Sequence, residues 1–178
     1  MKAPIFLIGF MGSGKTTWGK KIAHALDLPF LDLDQEIVAH IGMSIPEYFS
    51  TFGEEKFRKL ESDFLKQQGG KQAVISTGGG TPCYYDNMQW IKENGLSLYL
   101  YHTPQSLWSR LSQSDIKKRP LLQSFSGEEL LTFITTKLEE RAPFYEQADI
   151  KFEQIHTPLV DIISLIEQHP HRTHHENP

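Results

Sequence analysis

Residues 9–16 read GFMGSGKT, which fits the pattern G-x-x-x-x-G-K-[ST] at every position. The apolar run IFLI precedes this stretch at residues 5–8, and a helical pattern follows it from Lys15 onward. A strand, a glycine-rich loop and a helix in this order form a P-loop, whose backbone N–H groups and helix N-terminus surround phosphate oxygens. The stretch therefore predicts an α/β fold that binds the phosphates of a nucleoside triphosphate.

Around the P-loop, short apolar runs alternate with longer helical patterns, which is typical of a parallel sheet covered by helices. The predicted strands are residues 5–8, 30–32, 73–76, 96–101 and 150–152. The predicted helices are residues 15–26, 35–41, 44–67, 86–93, 104–111, 128–145 and 159–168. Asp86 and Gln89 predict a capping box at the start of the fourth of these helices, and Gly95 predicts its end.

The composition limits the class of protein. A chain of 178 residues indicates one ordinary domain, here over residues 1–168, and the polar segment 169–178 predicts a disordered tail. The net charge of -4 argues against a nucleic-acid partner, and no apolar stretch approaches the ~20 residues of a membrane span. The single cysteine, Cys83, cannot form an internal disulfide, which fits a reducing compartment. We expect a cytoplasmic monomer with small-molecule substrates.

A P-loop alone does not separate a metabolite kinase from a GTPase switch or a motor ATPase. The D-x-x-G and N-K-x-D motifs of GTPases do not occur in the sequence. A motor ATPase usually ends a second strand with an acidic residue, whereas the strand at residues 73–76 runs into Thr77 and three glycines. A kinase is therefore favoured, and its metal ion needs a carboxylate from elsewhere in the chain.

Asp32 and Asp34 follow the second predicted strand and are the candidates for that carboxylate. Residues two apart at a strand end point to the same side, and open α/β sheets bind ligands at the carboxyl ends of their strands. One carboxylate would hold a water bound to Mg²⁺, while the other accepts a proton from an attacking hydroxyl. The alternative is that Asp34 merely caps a helix beginning at Gln35.

Glycines and arginines elsewhere in the chain suggest a small anionic substrate. The glycines at residues 78–80 predict a backbone that a ligand approaches closely, although a tight turn would also use one or two of them. Arg58 and Arg141 would make bidentate clamps for a carboxylate. The alternatives are an exposed i,i+4 pair of Arg58 with Glu54 and a surface position for Arg141.

A long segment at residues 112–127 has no clear apolar period and carries KKRP at residues 117–120. Loops of this length in a compact domain are often lids over a binding site. From such a lid, Arg119 would reach over the triphosphate and neutralise the charge that develops during phosphoryl transfer.

Six motifs occur together in one order: GFMGSGKT at 9–16, DLD at 32–34, FR at 57–58, STGGG at 76–80, KKRPLL at 117–122 and ERAPFY at 140–145. In this combination the sequence resembles the shikimate kinase family from residue 5 to about residue 149. Many families share the P-loop, whereas its combination with the other motifs is specific.

The resemblance implies a three-layer P-loop fold of the nucleoside-monophosphate-kinase type, with a five-stranded parallel sheet in the order 2-3-1-4-5 and helices on both faces. It implies transfer of the γ-phosphoryl group of ATP, with Mg²⁺, to the 3-hydroxyl of shikimate. The products would be shikimate 3-phosphate and ADP, in chorismate and aromatic amino-acid biosynthesis. A substrate-binding segment would lie at about 33–62 and a lid at about 112–125.

The resemblance also implies the role of each site residue. Lys15, Asp34 and Arg119 would be catalytic. Shikimate would be bound by Asp34, Arg58, Gly79 and Arg141, between walls formed by Phe49 and Phe57. ATP would be bound by Gly12, Ser13, Gly14, Lys15, Thr16, Thr17, Arg110 and Arg119, with Arg110 against the adenine. Thr16 would bind Mg²⁺ directly and Asp32 through water.

Two other functions remain as alternatives. A kinase of the same fold acting on another small molecule, such as gluconate, would keep the P-loop but would not need the four shikimate-binding residues together. A nucleotide-binding regulator without catalysis would be expected to lack Lys15, an acidic residue or the lid arginine, and all of these are present.

Overall fold

The computed structural model describes residues 3–113, 125 and 127–173. At its centre lies a sheet of five parallel strands in the order β2-β3-β1-β4-β5, which confirms the predicted order. The strands are β1 (Ile5–Ile8), β2 (Phe30–Asp32), β3 (Val74–Ser76), β4 (Leu96–Leu100) and β5 (Ile150–Phe152). Because all of them run in one direction, their carboxyl ends meet at one edge of the sheet.

Helices make the connections between the strands. They are α1 (Lys15–Ala25), α2 (Leu33–Ile41), α3 (Ile45–Phe52), α4 (Glu54–Lys66), α5 (Asn87–Asn94), α6 (Pro104–Gln113), α7 (Gly127–Tyr145), α8 (Leu159–Gln168) and α9 (Pro170–Thr173). A short 3₁₀ turn, Thr81–Cys83, follows β3. The single helix predicted over residues 44–67 is instead two helices, because Gly53 adopts a φ of 85° between α3 and α4.

Strand β1 separates two hydrophobic cores. Ile5 and Leu7 point to one face of the sheet, which α1 and α8 cover. Phe6 and Ile8 point to the other face and pack against α4, α5, α6 and α7. All four of these strand side chains are fully buried, as expected for a parallel sheet with helices on both faces. The predicted three-layer architecture is confirmed.

Two helix starts differ from the sequence prediction. Helix α2 begins at Leu33 rather than Gln35, and its N-cap is Asp32, whose side chain accepts a 3.4 Å hydrogen bond from the N–H of Gln35. The capping box predicted at Asp86 does not form. The Asp86 carboxylate instead accepts a hydrogen bond from Lys66 at 2.6 Å, because α4 passes close to the start of α5.

Other element ends add detail to the prediction. Ser44 and Glu47 form a capping box at the start of α3, and Gly95 ends α5 as predicted. Pro170–Thr173 form a short helix where the sequence predicts a disordered tail, and residues 174–178 lie outside the described residues. In the part of the chain that the structure describes, no helix combines the length and the apolar character that a membrane crossing requires.

Candidate active site

A cleft of about 440 Å³ opens at the carboxyl ends of β1, β2 and β3. Its walls come from the loop after β1, the junction of β2 and α2, the turn after β3, and α6. The lining residues are Met11, Gly12, Gly14, Lys15, Thr16, Thr17, Asp32, Asp34, Ser76, Thr77, Gly79 and Arg110. The fold therefore brings most of the predicted ATP, metal and substrate residues into one cleft.

The P-loop wraps around the N-terminus of α1. Gly9 and Gly14 adopt φ values of 142° and 98°, which residues with side chains rarely adopt. A Cβ on Gly9 would also lie 2.8 Å from the carbonyl oxygen of Leu100. The ammonium group of Lys15 donates to the carbonyl oxygens of Gly9 at 2.8 Å and Phe10 at 3.0 Å. Its positive charge is therefore held against the loop, where phosphates would bind.

Two side chains that follow β4 hold carbonyl groups of the P-loop, Arg110 from the wall of the cleft and His102 from outside it. Arg110 of α6 donates from Nε to the carbonyl oxygen of Gly12 at 2.9 Å. Nε2 of the buried His102 ring lies 3.0 Å from the carbonyl oxygen of Ser13. Arg110 is a predicted ATP-binding residue, whereas the sequence analysis missed His102. Its position two residues after a buried strand, at the carboxyl edge of the sheet, is the signal that points to it.

The two predicted metal ligands contact each other. Thr16, in the first turn of α1, donates from Oγ1 to Oδ2 of Asp32 at 2.8 Å. Mg²⁺ prefers oxygen ligands and keeps several of its waters when it binds beside phosphates. A hydroxyl and a carboxylate side by side next to the P-loop therefore fit this cation.

Asp34 reaches the cleft for a reason that the sequence did not supply. It lies in the first turn of α2 rather than in a strand, and Asp32 is the helix cap, so the predicted strand geometry and the alternative cap are both wrong. Burial, followed by the carboxylates of Glu61 and Asp32, raises the pKa of Asp34 to about 6, although Lys15 and Arg58 oppose the shift. A carboxylate with this pKa can accept a proton near neutral pH.

Arg58 of α4 is held by two glutamates. Its Nε and Nη2 donate to Oε1 of Glu54 at 3.1 and 3.0 Å, and its Nη1 donates to Oε2 of Glu61 at 3.0 Å. The guanidinium carbon also lies 4.3 Å from the ring centroid of Tyr84. The alternative of an exposed pair between Arg58 and Glu54 is wrong for Arg58, because the side chain of Arg58 is only 12% exposed.

Glu61 is a second site residue that the sequence analysis missed. It is 1% exposed and accepts a 2.6 Å hydrogen bond from Oγ1 of Thr81, the residue that follows the three glycines. An acidic residue three positions after an arginine is typical of a solvated helix face. Only the packing of α4 against the 3₁₀ turn buries it, so no local pattern distinguishes it.

The glycines at residues 78–80 lie against the side chains predicted to bind substrate. A Cβ on Gly78 would lie 2.8 Å from Oδ1 of Asp34. A Cβ on Gly79 would lie 3.4 Å from Nη1 of Arg141, and a Cβ on the third glycine would lie 2.8 Å from Nη1 of Arg58. The close approach predicted for this backbone thus involves protein side chains, and the four predicted substrate-binding residues lie together.

Arg141 of α7 presents a buried donor that has no acceptor in the part of the chain that the structure describes. Its Nη1 is buried and has no hydrogen-bond partner within residues 3–113, 125 and 127–173. The guanidinium carbon lies 5.3 Å from the ring centroid of Phe10, and the hydroxyl of Tyr145 in the same helix donates to the carbonyl oxygen of Gly79. A buried, unpaired donor costs free energy unless a ligand supplies the acceptor. The position of Arg141 therefore fits an anionic group of a substrate.

The remaining predicted residues lie in the cleft, beside Arg58, or in the part of the chain that the structure does not describe. Phe49 and Phe57, the predicted pocket walls, lie 4.8 Å apart between ring centroids, and each ring lies 5.5 Å from the guanidinium carbon of Arg58. Thr17 lines the cleft from the first turn of α1. Most of the predicted lid, including Arg119, lies outside the described residues.

The fold and the site together define a class of enzyme. The parallel sheet carries a P-loop with its lysine, an oxygen pair that fits Mg²⁺, and a carboxylate with a pKa near neutrality. These are the parts of a P-loop kinase that phosphorylates a small molecule.

Comparison with known proteins identifies the family. The family model described as shikimate kinase matches residues 11–169. The shikimate kinase of Bacteroides fragilis is 42% identical over 174 residues, covering 93% of this chain and 97% of that protein. The crystal structure of shikimate kinase from Bacteroides thetaiotaomicron has a TM-score of 0.84 and 39% identity, covering 93% of this chain and 96% of that one. The chain belongs to the shikimate kinase family.

A further solved relative carries a substrate. Shikimate kinase from Acinetobacter baumannii, solved in complex with shikimate, has a TM-score of 0.78 and 34% identity. The alignment covers 93% of this chain and 91% of that chain. The predicted family and fold are therefore confirmed, and ATP is the co-substrate that this kinase family implies.

Proposed function

We propose that the protein transfers the γ-phosphoryl group of ATP to the 3-hydroxyl of shikimate, giving shikimate 3-phosphate and ADP in aromatic amino-acid biosynthesis. Membership of the shikimate kinase family supports the reaction. The observation that carries the proposal is the approach of Asp34, Arg58 and Arg141 to the glycines beside the P-loop. This arrangement offers two cations and one proton acceptor to a small, hydroxylated carboxylic acid.

The arginines would bind the carboxylate of shikimate. A guanidinium group donates two parallel N–H bonds to a carboxylate, which fixes both its position and its orientation. Nη1 of Arg141 is buried and unpaired among the described residues, so a carboxylate would supply the acceptor that it lacks. Arg58 is already fixed by Glu54 and Glu61, so little side-chain entropy remains to be lost on binding.

Asp34 would receive the proton of the reacting hydroxyl. The hydroxyl oxygen forms a new bond to the γ-phosphorus, the bond from that phosphorus to the β–γ bridging oxygen breaks, and ADP leaves. The proton passes to the Asp34 carboxylate, whose pKa of about 6 lets it be ionised before the step and protonated after it. Asp34 lines the same cleft as the P-loop, which supports this role.

The P-loop would hold the triphosphate. Lys15 would neutralise charge on the β- and γ-phosphates, and Arg110 would lie toward the adenine from α6. Thr16 would bind Mg²⁺ through its hydroxyl and Asp32 through water, and the bound ion would neutralise phosphate charge. Arg119 would add a further cation from the lid.

A coupled assay of ADP release tests the proposal. The purified protein is mixed with ATP and Mg²⁺ and with shikimate, gluconate or a nucleoside monophosphate in turn. Of these three acceptors, we expect only shikimate to be turned over. The product should show a phosphate ester at the 3-hydroxyl by phosphorus–proton NMR correlation. Faster turnover of gluconate would overturn the substrate assignment while leaving the kinase class intact.

A further inference from the structure

His102 holds a peptide of the P-loop from outside the cleft, and the proposed mechanism gives it no role. The residue lies two positions after β4 and is 6% exposed. Nε2 of its ring lies 3.0 Å from the carbonyl oxygen of Ser13. Nδ1 lies 3.0 Å from Oγ of Ser106 in α6. Both ring nitrogens are therefore used, one by the P-loop and one by a helix that fixes the ring.

The partners decide which nitrogen carries the proton. A carbonyl oxygen can only accept, so Nε2 carries hydrogen and donates to Ser13. In the neutral ring Nδ1 then accepts from the hydroxyl of Ser106. Burial, followed by the charges of Arg110 and Lys15, lowers the pKa of His102, although the bond to Ser13 and the carboxylate of Glu153 oppose the shift. The neutral ring with hydrogen on Nε2 is the form that fits the site.

The bond to Ser13 sets the direction of a phosphate-binding N–H. In a trans peptide the C=O and the following N–H point to opposite sides. Holding the carbonyl of Ser13 at His102 therefore directs the N–H of Gly14, a residue that lines the cleft, away from the ring. Arg110 holds the carbonyl of Gly12 and fixes the neighbouring peptide in the same way. Adjacent peptides of the P-loop are thus oriented by side chains beyond β4.

We propose that His102 is a positioning residue for the nucleotide, which presets the Ser13–Gly14 peptide of the P-loop for the phosphates. The inference rests on the assignment of the P-loop as the ATP site. It predicts that nucleotide binding, rather than shikimate binding, depends on the Nε2 donor of His102.

Three substitutions at His102 separate the donor from the rest of the ring. In His102→Gln the terminal amide nitrogen can take the place of Nε2 and donate to Ser13. In His102→Asn the shorter amide can reach Ser106 but not Ser13, and His102→Met fills the same buried space without any donor. Calorimetric titration with Mg·ADP and steady-state KM values for ATP and shikimate are measured for all four proteins, with melting temperatures as a check on folding.

We expect His102→Asn and His102→Met to weaken Mg·ADP binding by about 3- to 10-fold, the range of one net hydrogen bond. His102→Gln should stay within about twofold of wild type, and the KM for shikimate at saturating ATP should not change. If Asn fails to fold, the comparison of Met with Gln decides the matter. Equal Mg·ADP affinity in all variants, or an equal loss with Gln, would overturn the role. Failure of the wild type to bind Mg·ADP would instead overturn the nucleotide assignment itself.

Discussion

The proposed nucleotide site is one continuous stretch, residues 9–16, whereas the proposed acceptor site is assembled from Asp34, Arg58, Gly79 and Arg141. On the nucleotide side, Lys15 and Arg110 donate to loop carbonyls and hold the backbone in place. On the proposed acceptor side the half-buried Asp34 carboxylate has a raised pKa, and Nη1 of Arg141 is buried with no acceptor among the described residues. The backbone of the loop is thus held by neighbouring side chains, whereas on the proposed acceptor side a substrate carboxylate would supply the acceptor that Nη1 of Arg141 lacks among the described residues.

The largest expected effect is on the nucleotide side. Lys15→Ala should lower kcat by about 10³-fold, because it removes a preorganised cation from the charge that develops on the phosphates. The exposed Lys20 on the same helix provides the control, and Lys20→Ala should leave kcat unchanged. Steady-state kinetics and circular dichroism of both variants give the measurement. A Lys15→Ala enzyme with wild-type kcat would contradict the role of the P-loop in phosphoryl transfer.

On the acceptor side, Asp34→Asn should lower kcat by about 10²-fold, because Asn cannot accept the hydroxyl proton. The same change should raise the melting temperature of the ligand-free protein. The pKa of Asp34 is about 6 in the folded protein and 3.8 as the usual value, so ionising Asp34 lowers the free energy of unfolding. This loss of stability is complete above pH 6 and absent below pH 3.8. Each kcal/mol recovered corresponds to about 2–4 °C in a chain of this size.

Thermal melts at pH 7.5 and pH 4.5 separate this effect from a packing effect. The gain in melting temperature of Asp34→Asn should be present at pH 7.5 and should shrink at pH 4.5, where the wild-type carboxyl is largely protonated in the folded protein. A variant that is equally active and no more stable at pH 7.5 would show that Asp34 neither reacts nor bears the proposed cost.

The two arginines should differ from each other in stability but not in binding. Lys lacks the planar fork of Arg, so Arg58→Lys and Arg141→Lys should each weaken shikimate binding by about 1.5–3 kcal/mol. Arg58→Lys should also lower the melting temperature, since it disturbs the partner of the buried Glu61. Arg141→Lys should lower it less, because Nη1 of Arg141 has no acceptor among the described residues.

Titration with shikimate and with its methyl ester measures this difference. Wild type should prefer the acid strongly, and both Lys variants should discriminate less, while Mg·ADP affinity stays within about twofold in each. Equal binding of acid and ester by wild type would rule out a carboxylate at the arginines and would favour a neutral hydroxylated substrate.

The same contrast explains what the sequence could predict. The P-loop is recognisable because its chemistry requires glycines, a lysine and a threonine at fixed spacing within one loop. The strands were predictable for a similar reason, since short apolar runs such as residues 5–8 identify a strand buried on both faces. Asp34, the glycines at residues 78–80 and the two arginines were candidates one by one, but their assembly into one acceptor site came from resemblance to a family, because no local pattern connects positions that the fold alone brings together.

Residues that act through tertiary packing carry no motif, and for His102 the only sequence signal is its position just after a buried strand. Glu61 resembles a surface charge until α4 packs against the 3₁₀ turn, and His102 has no motif around it. The break at Gly53 was missed because one glycine in a helical pattern is usually tolerated, and here its positive φ ends α3. Asp32 both caps α2 and contacts Thr16, so a structural and a functional explanation fit the same side chain.

The smallest expected effect concerns the stability that His102 contributes on the nucleotide side. Its pKa is lowered from 6.5 in the folded protein by burial and by the charges of Arg110 and Lys15, so the unfolded chain takes up a proton more readily. The contribution of the neutral ring to the free energy of unfolding is therefore complete above pH 6.5 and is lost as the pH falls toward the folded pKa.

Urea unfolding at pH 7.5 and pH 5.5 tests this. The free energy of unfolding should fall more between these two pH values for wild type than for His102→Gln, which cannot titrate. The excess is at most about 1.4 kcal/mol, the value of one proton over one pH unit. The Asp34 carboxyl titrates in both proteins, so its effect cancels in the comparison. Equal losses in the two proteins would mean that the His102 ring is not held neutral in the folded protein, although Nε2 can donate to Ser13 in either charge state.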